Sequence, residues 1–220
     1  MSLKYERVLP LIAIIIVLIA LVLHKGLDLS IKAFYLTGVT LKIAKILTLL
    51  VSILLPLWVT LRILRLSPQS TLGFYRPSWK KALPVVALGF GVALVSAMVL
   101  QRVVPLPPDL LAEMADLVRF ENVSEFILVV LLSVATAPVA DELLFRGFVF
   151  RSFLERFGPL PALIVSAILT GVFHWEPWMI LYGTLMGFIF AGVVLWTGSV
   201  YTSILLHALL NSLALIPKIQ

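Results

Sequence analysis

Pro138-Val-Ala-Asp141-Glu142-Leu-Leu-Phe-Arg146-Gly147 sets two adjacent carboxylates and a guanidinium in a chain otherwise written for lipid. The run upstream, 126–137, has no charged residue, and Phe148-Val-Phe150 follows downstream. An ionisable group at membrane depth costs roughly 2.5–3.5 kcal/mol by insertion scales, so it persists where it is partnered or used. On a helix, Glu142 and Arg146 are i,i+4 neighbours and form an ion pair on one face. Asp141 points about 100° away and is left without that cation. The spacing thus predicts one held carboxylate and one available one.

Composition carries the same message to the whole chain. Of 220 residues, 61% are hydrophobic and 13% charged, and the mean hydropathy is +1.12. Soluble domains carry about 25% charged residues, so the expected fold is all-α: a polytopic transmembrane helix bundle with the lipid bilayer as its partner. Zero cysteines exclude disulfides and thiolate chemistry. The net charge of +6 comes from basic residues flanking apolar spans. It reads as loop topology, and nucleic acid is not an expected partner.

In chain order, Val8–Leu23 is the first span, retained because no small-residue cleavage site follows it. The mixed segment 26–40 is expected to be interfacial or an early start of the next helix. Spans follow at about 43–61 and 82–100, then a long apolar stretch at 126–153. Pro138 is expected to kink or split that stretch. Gly158-Pro159 turns the chain, and 161–174, 179–196 and Tyr201–Ile216 complete seven spans, or eight if the Pro138 break is complete. The division expected is 1–66, N-terminal spans, and 67–220, a functional core. The basic residues Arg62, Arg65, Arg76, Lys80 and Lys81 face an acidic connector at 105–125 across one span. The positive-inside bias puts the N-terminus and the 62–81 loop in the cytoplasm. Gly183, Gly187 and Ala191 put small residues on one helix face, which favours close helix packing.

Three more polar positions stand in apolar spans. Glu142 lies sixteen residues before Gly158 and His174 sixteen after it, so a helical hairpin brings the two level. His207 and Asn211 are i,i+4 and share a face; from the Gly198 turn Asn211 approaches the level of His174. Each position has a structural alternative: a buried ion pair for Glu142 with Arg146, a helix–helix hydrogen bond for His207 and Asn211, an interfacial placement for His174 and for His24. Taken together, two imidazoles, two carboxylates and an amide at one depth are what water activation and oxyanion stabilisation need.

These residues carry a family resemblance. Ala137–Gly147 resembles the EExxxR motif of the CPBP (Abi, type II CAAX-prenyl-protease-like) intramembrane proteases. His174 matches the histidine of that family's FxxxH motif, and His207-Ala-Leu-Leu-Asn211 its HxxxN motif. Leu72-Gly73-Phe74 and Thr197-Gly198-Ser199 are similar in context, and the likeness covers roughly Thr71 to Ile216. The chain departs from the pattern twice: Asp141 stands at the leading glutamate and Thr170 at the phenylalanine, a packing position. The resemblance implies a hydrolase, a CAAX-prenyl-endopeptidase-like intramembrane protease acting on a peptide or protein substrate. It implies that Asp141 and His174 activate water and that His207 and Asn211 hold the oxyanion. Asp is one methylene shorter than Glu, about 1 Å, a distance that matters to catalysis, so Glu142 stays open as the alternative base.

No cofactor is assured. A divalent metal such as zinc accepts imidazoles, a carboxylate and water; its ligands here would come from Asp141, Glu142, His174 and His207. No HExxH helix is present, which favours the metal-independent reading. The alternatives from other classes are a non-catalytic membrane scaffold or bacteriocin-immunity-type protein, and a small-solute or ion carrier using the carboxylates as a proton relay.

Overall fold

In lipid every backbone N–H and C=O must be satisfied within the chain, so long apolar runs become helices. The computed structural model describes residues 3–215, and among them there is no strand. The helices are α1 (Leu3–Ala33), α2 (Gly38–Ile63), α3 (Pro68–Leu72), α4 (Trp79–Val103), α5 (Pro108–Val118), α6 (Val123–Phe157), α7 (Pro159–His174), α8 (Pro177–Thr197) and α9 (Val200–Leu213). Five of them, α1, α2, α4, α6 and α8, are long and apolar enough to cross a membrane. The apolar helices α7 and α9 have only 16 and 14 residues. At 1.5 Å per residue they reach about 24 and 21 Å, short of a hydrocarbon core about 30 Å thick. The protein is therefore an integral, multi-pass membrane protein built as a helical bundle. The expected end of the last span, Ile216, lies outside the described residues.

Pro138 does not split its helix, so the eighth span that a complete break would add does not form: α6 runs unbroken from Val123 to Phe157. The accommodation is a wide, π-helical turn over Leu131–Thr136, directly before the proline. A turn with i→i+5 bonding takes up the missing donor and relieves the ring's clash with the preceding carbonyl. The same device, Leu50–Leu54, precedes Pro56 in α2. A third wide turn, Leu143–Val149, contains no proline. The 26–40 segment also differs from expectation. Most of it is the continuation of α1 to Ala33, and the turn is confined to four residues around Tyr35, at φ 49.

Two apolar clusters organise the bundle. The larger joins α1 and α2 (Leu9, Ala13, Val17, Ile53, Leu57) to α6 and α7 (Leu144, Phe145, Phe148, Phe173). The smaller joins α4, α8 and α9 through Val86, Ala93, Met186, Phe190 and Leu206. Between them α7 and α8 pack with almost no side chain at the crossing. A Cβ on Gly187 would sit 2.7 Å from Ala167 Cα, and one on Gly171 would collide with Thr184 and the Ile180 carbonyl. Gly158, at φ 84, ends α6, and Pro159 opens α7, where its missing N–H costs nothing. The two glycine-containing contexts noted in the sequence meet at one end of the bundle. Val200 N donates to Gly73 O at 3.2 Å, Ser199 Oγ to Tyr75 O at 2.6 Å, and Arg151 to Gly198 O at 2.6 Å. This tie fixes where α9 begins, and with it the depth of His207.

Candidate active site

The polar cluster lies where the two apolar clusters meet. One cavity is lined by Asp141 and Glu142 of α6, Thr170 and His174 of α7, Tyr182 and Met186 of α8, and His207 and Asn211 of α9, among others. The space open to water centres is about 50 Å³, enough for a few water molecules, which need roughly 10–15 Å³ each. All five residues singled out in the sequence as chemistry-bearing therefore line the same pocket, although they come from three helices.

Glu142 is the most engaged of them. Its Oε1 is 3.1 Å from His207 Nδ1 and its Oε2 is 3.3 Å from Arg146 Nε. Glu142 and Arg146 are both fully buried. The contact to Arg146 is one of charge rather than an aligned hydrogen bond, since neither atom has a hydrogen-bond partner. The wide turn beginning at Leu143 accounts for this: it spreads the backbone, so residues i and i+4 no longer stand directly above one another. The other guanidinium nitrogens are well held. One donates to Thr170 Oγ1 at 3.1 Å and the other to the Gly187 carbonyl at 3.3 Å, and the group lies 5.1 Å from the Phe190 ring centroid.

Thr170 consequently does more than fill space. Its hydroxyl accepts from Arg146 and donates to Ser166 O at 2.7 Å, an arrangement a phenylalanine cannot make, so the sequence reading of this position as packing is corrected. The Gly183–Gly187 face, read as a packing stripe, likewise has a polar use: the Gly187 carbonyl accepts from Arg146. Neither role has a periodic signature; both arise from contacts 24 and 41 residues apart.

Asp141 lines the cavity at 8% exposure and forms no ion pair with Arg146 among the described residues. The His207 ring is set by two neighbours, Glu142 at Nδ1 and the Phe190 ring at 5.0 Å. A carboxylate only accepts, so Nδ1 carries a proton and Nε2 is left for other work. Asn211 does not bond its helix neighbour His207; its Nδ2 donates across to Ser133 O on α6 at 2.8 Å. His174 sits at the last turn of α7 with Gly183 against its ring, where an added Cβ would come within 2.9 Å of Cδ2. The residue stands inside the bundle rather than at the interface. His24 too is drawn inward, to Ser52 and Phe173.

Among the described residues no group of three or more His, Cys, Asp or Glu side chains is placed to hold an ion. Glu142 has one oxygen on His207 and the other beside a guanidinium, and a cation there repels a second one.

Comparison with known proteins bears on the same segment. Residues 123–213 match the family described as type II CAAX prenyl endopeptidase Rce1-like. The chain is 26% identical over 93 residues to a Bacillus subtilis (strain 168) protein named "Putative membrane peptidase YdiL", a match covering 42% of this chain and 38% of that protein. No solved structure matches. The matched segment contains α6 to α9 and every residue of the cavity named above, which relates the chain at family level to membrane proteases. Residues 123–213 are thus the part of the chain similar to the Rce1-like type II CAAX prenyl endopeptidases.

Proposed function

We propose that this chain is an intramembrane endopeptidase that hydrolyses a peptide bond of a protein substrate without a metal. The observation that carries the reading is the convergence of Asp141, Glu142, His174, His207 and Asn211 on one water-sized cavity within the bundle. In this reading Asp141, which Arg146 does not neutralise, takes a proton from water with the help of His174, and the hydroxide adds to the carbonyl carbon. The developing oxyanion is met by the Nε2–H of a doubly protonated His207, whose Nδ1–H stays on Glu142, and by the Asn211 amide. The proton held by Asp141 then passes to the leaving amine as the C–N bond breaks, and atoms and charge balance. Glu142 serves as the counter-charge of Arg146 and His207 rather than as the base, because both of its oxygens are engaged.

Purified protein incubated with a peptide library, with and without chelator, tests this directly. Cleavage products should appear, at the same rate in both arms. Absence of products across the library favours the scaffold reading, which the Arg146–Glu142–Thr170 network also serves; loss of cleavage in chelator alone removes the metal-free mechanism. The orientation is tested separately. With 62–81 in the cytoplasm, as the positive-inside bias requires, reporters fused in 62–81 and in 105–125 should report opposite sides of the membrane. Both on one side would remove the assignment of a cytoplasmic N-terminus.

A further inference from the structure

Outside the segment that matches the family, α1 and α2 carry charges of their own at membrane depth. His24, Lys25 and Asp28 lie on α1, and Lys45 and Ser52 on α2, all within apolar helices. All but Lys25 form one connected group. Asp28 Oδ1 is 2.9 Å from Lys45 Nζ, Asp28 Oδ2 is 3.7 Å from His24 Nε2, and His24 Nδ1 is 3.2 Å from Ser52 Oγ. Ionisable groups in such positions are rare unless they have a task, and none of these belongs to the cavity described above.

Their position indicates the task. At about 24 Å, α7 is shorter than the hydrocarbon core, and its C-terminal residue, His174, lines the cavity inside the bundle. A helix C-terminus carries unpaired carbonyls and a partial negative charge, and lipid can satisfy neither. Lys25 does. Its Nζ donates to the His174 carbonyl at 3.3 Å, across 149 residues of sequence. The neighbouring His24 ring lies 5.2 Å from Phe173, which in turn packs on Phe145 at 5.5 Å, beside Arg146. The backbone of His174 is thus held from the α1 side, while Gly183 bounds its ring on the α8 side.

We propose that Lys25 is a positioning residue for His174, and that α1 and α2, through the His24–Asp28–Lys45 group, are a working part of the active site. The inference rests on the proposed function for the role of His174, but not for its placement. Because the His174 carbonyl also accepts from Glu176 N at 2.8 Å, losing Lys25 removes a charge and a restraint without orphaning the helix end. The fold should survive.

The experiment follows the His174 ring by NMR in detergent, with labelled histidine and His174→Gln for assignment, alongside turnover and thermal unfolding. In Lys25→Met the His174 ring signals should move and kcat should fall about 10- to 100-fold with KM little changed, the size expected for a displacement of order 1 Å. Lys25→Arg should restore both, and Lys32→Met, which breaks an exposed ion pair with Glu113, should change neither. Unmoved His174 signals in folded Lys25→Met, or no restoration by arginine, overturn the proposal. Lys25→Gln provides the same comparison should the methionine variant fail to fold. If the wild type shows no turnover, the enzyme reading fails, and the ring signals alone still decide whether Lys25 positions His174.

Discussion

Asp141→Asn is expected to slow peptide-bond hydrolysis about 10²–10³-fold or more while leaving the unfolding temperature in detergent nearly unchanged. The size is that of removing a general base. The selectivity comes from the site: Asp141 lines the cavity and holds no ion pair with Arg146, so an amide of the same volume strands no cation. Asp141→Glu, which restores the longer side chain of the family motif, should keep or raise the rate. Turnover and unfolding measured on both variants decide the assignment. If Asp141→Asn stays active while Glu142→Gln folds but is dead, the two carboxylates have exchanged roles.

Glu142→Gln is expected to act on stability first. Arg146 is fully buried, and its remaining partners, Thr170 Oγ1 and Gly187 O, are neutral. Removing one partner of a buried ion pair costs about 3–5 kcal/mol, because the other charge stays behind without compensation. His207 loses its carboxylate partner in the same step. The pair as a whole is less valuable than this number, since apolar groups of similar shape often replace buried ion pairs with little loss. The double variant Glu142→Gln/Arg146→Met should therefore recover much of what the single one loses. Chemical unfolding of the two variants measures the difference, and a Glu142→Gln protein within about 1 kcal/mol of wild type would show that the charge is not truly sequestered.

The five long apolar helices were legible in the sequence because lipid imposes a length and a composition on every crossing, and the shorter α7 and α9 by composition alone; both are local properties. The level of the cavity was legible for a similar reason: two turns, Gly158-Pro159 and Gly198, start helices whose rise per residue is constant, so counting places Glu142, His174 and Asn211 together. What escaped depends on contacts between distant residues. Thr170 looks like a departure from a packing motif until Arg146 is seen on its hydroxyl. Lys25 and His24 look like the end of a first span until the shortness of α7 brings its terminus down to them. Pro138 looks like a break because the penalty for proline is stated for a regular helix, and a wide turn removes the regularity before the proline arrives.

The wide turns of α6 also bear on how this helix is inherited. A turn bonded i→i+5 holds one residue more than a regular turn, so it is what a helix looks like after absorbing an inserted residue without breaking. Such turns stand on both sides of Ala137–Glu142, at Leu131–Thr136 and Leu143–Val149. Each offsets the remainder of the helix by one residue, about 100° around the axis. Aligned with a relative whose helix is regular throughout, this chain requires a one-residue gap on either side of the carboxylates, inside what would pass for an ungapped span. The two turns thereby set where around the axis Asp141 and Glu142 stand, and both residues line the cavity.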